Sequence, residues 1–326
     1  MHYRRLGTSG LNVSRIALGC MSYGDPLQGS HPWTLPAEQS EKFIAQALDL
    51  GINFFDTANI YSLGSSEHIL GAALKKMTSR EEVVIATKVY ESMTGQPLSG
   101  GLSRRAIHQE IDASLRRLGT DYIDLYIVHR WDYTTPIEET MRALDDIVRA
   151  GKVRYIGASS MHTWQFVKAQ YTADIGGWTR FISMQNHYNL INREEEREML
   201  SYCADEGIGV TPWSPLARGR LTRDWDETSA RTASDPIQKW LYGASEIADR
   251  LVAKTVHAIA AERSLPAAQI ALSWLLHQPT VTAPIVGATS PHHLDDAVAA
   301  LDIELTDNDR RRLEAPYIPH AVIEYT

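Results

Sequence analysis

Four ionisable residues stand where buried strands would end, namely Asp56, Tyr61, Lys88 and His129. Asp56, Lys88 and His129 each follow a short apolar run directly, and Tyr61 comes shortly after Asp56. Parallel strands open their carboxyl ends at one face, which is where α/β barrels and open α/β sheets place their reactive groups. We therefore expect these four side chains to converge on one site.

The residue types of this site suit proton transfer to or from a carbonyl oxygen. A free tyrosine has a pKa of ~10 and exchanges protons poorly near neutrality. We expect Lys88 to lower the pKa of Tyr61, Asp56 to keep Lys88 charged and oriented, and His129 to fix a substrate oxygen. Such a set protonates a carbonyl oxygen while a hydride reaches its carbon, or runs the reverse. No side chain delivers hydride, so a nicotinamide cofactor is implied.

The elements that must position these residues alternate between strand-like and helix-like patterns. Eight short apolar segments predict strands at Arg15–Cys20, Asn53–Asp56, Val83–Lys88, Tyr122–His129, Tyr155–Ala158, Phe181–Gln185, Gly209–Trp213 and Ala283–Gly287. Apolar residues at helical spacing predict outer helices at Ala37–Leu50, Glu67–Lys76, Arg104–Arg117 and Pro136–Ala150, with extra helices at Ser245–Arg263 and Thr306–Glu314. Eight strands followed by helices predict an α/β fold of the (β/α)8 TIM-barrel class.

Residues 1–14 predict an N-terminal β-hairpin around a Gly-Thr-Ser-Gly turn, which could plug one end of the barrel. No linker or shift of composition divides the chain, so residues 1–326 predict a single domain. The connections after the first and seventh strands, 23–36 and 214–243, are long, and long loops in compact domains often bind ligands. Their aromatic residues are candidate walls of the substrate pocket, and with His129 we select Tyr23, Trp33 and Trp225 as substrate contacts.

Composition excludes several classes of function. The chain has 44% hydrophobic and 22% charged residues, and 32 basic against 40 acidic residues give a net charge of −8. The basic residues are dispersed, so no nucleic-acid partner is expected. We predict a cytoplasmic protein with no membrane association, because no signal peptide or membrane-length apolar run is present. Cys20 and Cys203 are too few for a disulfide framework or a zinc site, and no metal is predicted.

Other patterns favour structural roles. The charged run Arg193–Glu198 predicts a solvated helix face. His187 lacks reactive company and is expected to be structural or solvent-facing. A Gly-x-Gly-x-x-Gly motif after a strand is absent, which argues against a Rossmann fold.

Five ordered motifs make the chain resemble the aldo-keto reductases. They are Gly51–Ala58 with Tyr61, Arg117–Tyr126 leading to His129, Lys152–Ser159, Gln185–Leu190, and Trp213–Gly219. The resemblance covers nearly the whole chain. Within the family, Gly219–Arg223 and the tail Pro316–His320 look most like bacterial reductases of broad carbonyl range.

The resemblance implies a (β/α)8 barrel, an NADPH cofactor, and Asp56, Tyr61, Lys88 and His129 as the catalytic tetrad. Asp56 would also contact the cofactor. It further implies cofactor-binding roles for Ser159, Ser160 and Gln185 at the nicotinamide carboxamide, Trp213 stacked on the nicotinamide, Ser214, Leu216, Arg218 and Gly219 along the pyrophosphate, and Gly287, Thr289 and His293 near the adenosine phosphate.

The sequence departs from the family pattern at His293, usually Gln or Arg, and at Ala297, usually Asn, so NADH is a possible cofactor. The expected substrate is a small aldehyde or ketone, apolar and aromatic or cyclic, and the oligomeric state is left open. Two alternatives remain. One is a lyase that uses Lys88 as a Schiff-base nucleophile, which requires a neutral lysine. The other is a slow NADPH-binding protein that acts through a partner.

Overall fold

The structure, a computed structural model, describes residues 1–29, 33–226, 236–322 and 325. Within these ranges the strands are β1 Tyr3–Arg5, β2 Asn12–Ser14, β3 Ala17–Gly19, β4 Phe54–Asp56, β5 Val84–Val89, β6 Ile123–Val128, β7 Val153–Ser159, β8 Phe181–Gln185, β9 Gly209–Val210 and β10 Ile285–Gly287. The helices are α1 Ala37–Asp49, α2 Ser65–Met77, α3 Arg104–Leu118, α4 Ile137–Arg149, α5 Thr163–Gly176, α6 Met199–Asp205, α7 Pro236–Tyr242, α8 Glu246–Arg263, α9 Ala267–Leu276, α10 Pro291–Ala299 and α11 Asp307–Glu314.

Strands β3 to β10 form one parallel sheet in the order β10-β3-β4-β5-β6-β7-β8-β9. Three backbone hydrogen bonds join the segments of β9 and β10 at the two edges of this sheet. The Thr282 and Ala283 N–H groups donate to the Val210 carbonyl at 2.8 and 3.4 Å, and the Ile285 N–H donates to the Pro212 carbonyl at 2.9 Å. The sheet therefore curls into an eight-stranded barrel with helices around it, which confirms the predicted fold class.

The outer helices bury the apolar stripes that predicted them. In α4 the buried face includes Met141, Leu144 and Ile147. Helix α3 begins where the Ser103 side chain accepts the Ala106 N–H, and it ends at Gly119, whose left-handed backbone suits glycine. The extra helices α8 and α11 pack against each other. One difference is α7, which lies inside the segment 214–243 that was predicted as a loop.

The N-terminal hairpin closes the amino-terminal end of the barrel. Strands β1 and β2 pair antiparallel, and Leu6 and Val13 are buried among the residues that fill the barrel interior. The Thr8 N–H donates to the Gly207 carbonyl at 2.8 Å. Gly7 has a φ of +61°, and a Cβ there would lie 2.3 Å from the Gly207 oxygen, so the approach requires glycine. The predicted plug is present, and the opposite end carries the cavity.

Candidate active site

The four ionisable residues meet at the carboxyl ends of three neighbouring strands. Asp56 is the last residue of β4, and Lys88 is the penultimate residue of β5. His129 follows β6 directly, and its N–H donates to the Val89 carbonyl at 2.9 Å. Tyr61 begins a short 3-10 turn after β4. Since β4, β5 and β6 are adjacent in register, the barrel itself brings these side chains together.

Lys88 lies at the centre of the group and is fully buried, with 0% of its surface exposed. Its Nζ donates to Asp56 Oδ1 at 2.5 Å, to the Thr57 carbonyl at 2.8 Å and to the Tyr61 hydroxyl at 3.3 Å. An ammonium has three donors, so these contacts use all of them. Asp56 Oδ2 accepts a second bond, from Gln185 Nε2 at 2.8 Å. The carboxylate is thereby fixed between Lys88 and the end of β8.

These contacts set the protonation states. Burial alone would lower the pKa of Lys88, but Asp56 and Tyr61 outweigh it and raise that pKa above its usual value. Burial raises the pKa of Tyr61, and the opposing effect of Lys88 does not offset it. The expected net lowering for Tyr61 is therefore wrong in this structure, because burial exceeds the attraction of one ammonium. Lys88 is charged and Tyr61 is a neutral phenol at neutral pH.

His129 completes the group as a neutral imidazole. Burial, followed by the charges of Lys88 and Arg130, lowers the pKa of His129 well below its usual value. Its ring meets the Tyr61 ring edge-on, with centroids 5.9 Å apart. The buried Nδ1 has no hydrogen-bond partner among the described residues. This imidazole can hold a substrate oxygen without carrying a charge.

A cavity of about 1120 Å³ opens above these residues. Asp56, Tyr61 and His129 line it, whereas Lys88 lies behind them. Every residue predicted to bind the cofactor also lines it: Asp56, Ser159, Ser160, Gln185, Trp213, Ser214, Leu216, Arg218, Gly219, Gly287, Thr289 and His293. The volume exceeds the ~300–1,000 Å³ typical of small-molecule pockets, so it has room for a dinucleotide beside a small carbonyl compound.

The backbone around this cavity is locally strained. Ser160, Ser214 and Arg218 line it and have left-handed φ values of 46°, 51° and 55°. Such conformations cost energy in residues other than glycine and cluster at functional sites. Ala217, Arg218 and Gly219 are left-handed in succession, and a Cβ on Gly219 would lie 2.2 Å from the Arg223 guanidinium. The N–H groups of Ala217 and Gly219 donate to the carbonyls of Ser214 and Leu216, both at 2.9 Å, so this run forms a tight turn at the edge of the cavity.

Of the residues predicted to contact substrate, Trp33 and His129 line the cavity, and Tyr23 and Trp225 do not. Tyr23 is completely buried and stacks on Phe43, with centroids 6.2 Å apart. The Trp225 Nε1 donates to the Arg220 carbonyl at 2.7 Å, and the indole lies 4.2 Å from the Arg220 guanidinium. Both predictions are corrected: these rings pack against the protein.

The second loop still contributes aromatic and apolar surface to the cavity through α7. Ile237 and Trp240 of this helix line the cavity, as do Trp33 and Leu35 from the first loop. Trp240 remains about half exposed. Both long connections therefore contribute aromatic residues to the cavity, the second through Trp240 and not through Trp225.

One structural expectation near β8 also needs correction. The run Arg193–Glu198 is not a solvated helix face, because Glu194 and Glu195 are buried. Glu194 accepts hydrogen bonds from the Tyr317 hydroxyl at 2.6 Å and the His320 N–H at 2.9 Å. Glu195 accepts from Asn186 Nδ2 at 2.7 Å. These carboxylates fasten the C-terminal tail to the segment that follows β8.

His187 is the residue near the site that sequence reasoning missed. Its ring is buried and stacks on Trp213, with centroids 4.2 Å apart and planes 10° apart. The signal available in the sequence was its place in the Gln185–Leu190 motif, directly after a strand that ends in a site residue.

This fold and site define a class of protein, and the comparisons give its family. The Aldo/keto reductase family model matches residues 15–318, and the chain belongs to that family. It is an oxidoreductase that acts on carbonyl or alcohol groups, and members of the family generally use nicotinamide cofactors. No helix of the described residues is long and apolar enough to cross a membrane.

Among similar proteins, the versiconal hemiacetal acetate reductase of Aspergillus parasiticus is 46% identical, over 99% of this chain and 98% of its own. The aldo-keto reductase AMT2 of Alternaria alternata is 43% identical, over 97% and 91%. A Schizosaccharomyces pombe protein whose name proposes an aryl-alcohol dehydrogenase is 41% identical, over 97% and 96%. These relatives are fungal, whereas the motifs suggested a likeness to bacterial members.

Proposed function

We propose that the protein reduces aldehydes or ketones to alcohols with NADPH, reversibly, with Tyr61 as the general acid. The observation that carries this proposal is the Lys88 ammonium, which is bonded to both Asp56 and the Tyr61 hydroxyl at the floor of the cavity. A neutral phenol next to an ammonium can give up its proton because the phenolate that results is stabilised at once.

Each of the four residues has a distinct part in this reaction. Tyr61 donates its proton to the carbonyl oxygen, and Lys88 stabilises the tyrosinate left behind. Asp56 keeps Lys88 charged and in place. His129, neutral at the edge of the Tyr61 ring, orients the same oxygen by a hydrogen bond. When bound, the nicotinamide supplies the hydride that the carbonyl carbon accepts.

The walls of the cavity fit such a cofactor. Gln185 uses its amide nitrogen on Asp56, which leaves its amide oxygen to accept a bond from the carboxamide. One face of the Trp213 indole is covered by His187, and the other is available to stack on the nicotinamide. The guanidinium groups of Arg218 and Arg223, two residues that line the cavity, suit the pyrophosphate.

We propose NADPH rather than NADH because of the residues at the adenosine end of the cavity. Thr289, His292 and His293 line that end of the cavity, and the Thr289 N–H donates to His293 Nδ1 at 3.2 Å. An imidazole at this end of the cavity is a candidate partner for a 2′-phosphate. Ala297 is buried and offers no contact, so this end of the site is where NADH would compete.

The Schiff-base alternative is disfavoured by the electrostatics of Lys88. A lysine nucleophile must be neutral, with a lowered pKa. The pKa of Lys88 is raised, and its three donor bonds hold the ammonium. The slow NADPH-binding protein that acts through a partner has no such observation against it, and the experiment below separates it.

We propose an apolar, aromatic or cyclic carbonyl substrate. The cavity that Tyr61 lines is also lined by the apolar side chains of Trp33, Leu35, Ile237 and Trp240. The names of two relatives agree with this class, since one is a reductase of versiconal hemiacetal acetate and the other is named for aryl alcohols.

The test is NADPH and NADH oxidation over a panel of aromatic and aliphatic aldehydes and ketones, with Tyr61→Phe as the variant. Tyr61→Phe should bind NADPH normally and lose at least ~100-fold in turnover, the usual scale for a positioned acid. The matched control is Tyr23→Phe, which removes a buried hydroxyl that has no partner among the described residues and lies outside the cavity.

The outcomes are distinct. Tight NADPH binding with near-zero turnover on every carbonyl would support the partner-protein alternative. Retained activity in Tyr61→Phe would remove Tyr61 from the mechanism. A lysine adduct trapped by borohydride with substrate would restore the Schiff-base route.

A further inference from the structure

His187 lies between two walls of the cavity that are distant in sequence. Its ring stacks face to face on Trp213, which lines the cavity. Its Nε2 is 2.6 Å from the hydroxyl of Tyr242, the last residue of α7. Ile237 and Trp240 of the same helix also line the cavity.

The imidazole is held in one orientation. Its Nδ1 is hydrogen-bonded to the amide of Asn192, and Asn189 Nδ2 lies 3.3 Å from Nε2. The same Asn189 nitrogen donates to the Ser214 carbonyl at 2.9 Å, so the backbone directly after Trp213 is tied to this group. His187 is 1% exposed. A buried ring with both nitrogens engaged cannot turn without breaking bonds in three segments.

The Trp213 indole is fixed from two sides. His187 covers one face, and the indole Nε1 donates to Ser160 Oγ at 3.1 Å at the end of β7. Displacing α7 would move Tyr242 away from His187 and loosen the support of Trp213. Shifting Trp213 would in turn disturb the bond that anchors α7.

We propose that His187 is a positioning residue that couples the cofactor wall to α7, so that a cofactor bound against Trp213 stabilises α7 through the chain Trp213, His187 and Tyr242. The inference rests on the proposed function, because it takes the Trp213 face as the nicotinamide site. It adds a consequence: the cofactor prepares the substrate wall formed by Ile237 and Trp240 before the carbonyl compound enters.

The strength of the coupling can be estimated from the hydrogen bond that carries it, and the coupling must act in both directions. One hydrogen bond contributes ~0.5–1.5 kcal/mol net, which corresponds to a factor of roughly 2 to 12. Linkage requires that the factor by which NADPH stabilises α7 equals the factor by which an anchored α7 tightens NADPH binding. The two factors can be measured independently, and neither requires catalysis.

The first measurement is the Kd of NADPH from quenching of tryptophan fluorescence. The second is the rate of trypsin cleavage after Lys239, an exposed residue of α7, with and without NADPH and followed by mass spectrometry. In the wild type, saturating NADPH should slow this cleavage roughly 2- to 10-fold. Tyr242→Phe should abolish most of that protection and raise the Kd by a similar factor.

Two variants of His187 separate the stack from the hydrogen bonds. His187→Phe keeps an aromatic ring against Trp213 and loses the contacts to Tyr242, Asn189 and Asn192. Its effect should therefore equal or exceed that of Tyr242→Phe, and the double variant should be no worse than His187→Phe alone. His187→Ala also loses the stack on Trp213 and should weaken NADPH binding further. A purely structural role would lower the melting temperature and the folded fraction, but it would leave the Kd and the protection ratio of the folded protein unchanged.

The inference is overturned if Tyr242→Phe binds NADPH as tightly as the wild type and if NADPH slows trypsin cleavage after Lys239 equally well in both proteins. It is also overturned if the double variant shows the product of the two single effects. Failure of the proposed function looks different. A wild type that binds NADPH but reduces no carbonyl leaves both measurements valid, whereas a wild type that binds neither NADPH nor NADH overturns the proposed function and the inference together.

Discussion

Replacing Lys88 by methionine should destabilise the protein far more than replacing Lys88 and Asp56 together. Both side chains are almost completely buried, and Lys88 Nζ lies 2.5 Å from Asp56 Oδ1. With an effective dielectric constant of ~20, two unit charges at this distance attract by roughly 7 kcal/mol. The cost of removing both charges from water offsets most of that attraction, so the pair itself adds little net stability.

Lys88→Met removes the cation but leaves the Asp56 carboxylate buried, with Gln185 as its remaining side-chain partner among the described residues. Breaking a buried ion pair in this way costs about 3–5 kcal/mol. The double variant Lys88→Met with Asp56→Asn removes both charges, and the asparagine oxygen can still accept from Gln185. Its free energy of unfolding should fall within about 2 kcal/mol of the wild type, because neutral replacement of a buried pair is often tolerated.

Urea unfolding followed by both tryptophan fluorescence and far-UV circular dichroism measures these differences. Lys168→Met is the matched control, since Lys168 is exposed on α5 and should change stability by no more than ~0.5 kcal/mol. The reasoning is refuted if the losses in unfolding free energy of the single variants Lys88→Met and Asp56→Asn sum, within ~0.5 kcal/mol, to the loss of the double variant. Such additivity is the behaviour of independent sites. Additivity would mean that the two groups are not an ionised pair.

Two further predictions concern catalysis. Burial holds the pKa of Tyr61 above its usual value, and burial with nearby cations holds that of His129 well below its own, so kcat for carbonyl reduction should be flat from about pH 6 to about pH 9. Alcohol oxidation needs the Tyr61 phenolate, so its kcat should rise throughout this range. An inflection of the pH profile near the ordinary histidine pKa would contradict a neutral His129. Trp240→Ala should raise KM for aromatic aldehydes roughly 10-fold, and Trp225→Ala should change it less than about 2-fold, in steady-state kinetics. Equal effects would contradict the observed placement of the two indoles.

The barrel could be predicted because its strands are local apolar runs of the right number. The main difference lies in the seventh predicted strand, Gly209–Trp213, of which only Gly209–Val210 is regular strand. The Trp213 N–H donates to the Asn186 carbonyl beyond the end of β8, and Trp213 forms an isolated bridge with His187. Apolar composition could not distinguish a strand from an extended segment that turns towards a binding site.

The convergence of Asp56, Lys88 and His129 could also be predicted, because parallel strands place their carboxyl ends together. The pKa of Tyr61 could not, because its direction depends on how deeply the ring is buried relative to one ammonium 3.3 Å away. Glu194 and Glu195 were misjudged for a similar reason. Their partners Tyr317 and Asn186 lie in other segments of the chain. The sequence of the charged run alone therefore could not show that these carboxylates are buried.

The site divides between a part that the barrel fixes and a part that the loops supply. Asp56 and Lys88 lie on β4 and β5, and His129 directly follows β6, where ladder hydrogen bonds hold the backbone. The apolar wall comes from the first loop and from α7, and neither belongs to the sheet. Sequence changes in these loops can therefore alter which carbonyl compound fits without moving Lys88 or Tyr61. The contact through His187 is the exception, because it joins α7 to Trp213, whose indole is bonded to Ser160 directly after β7.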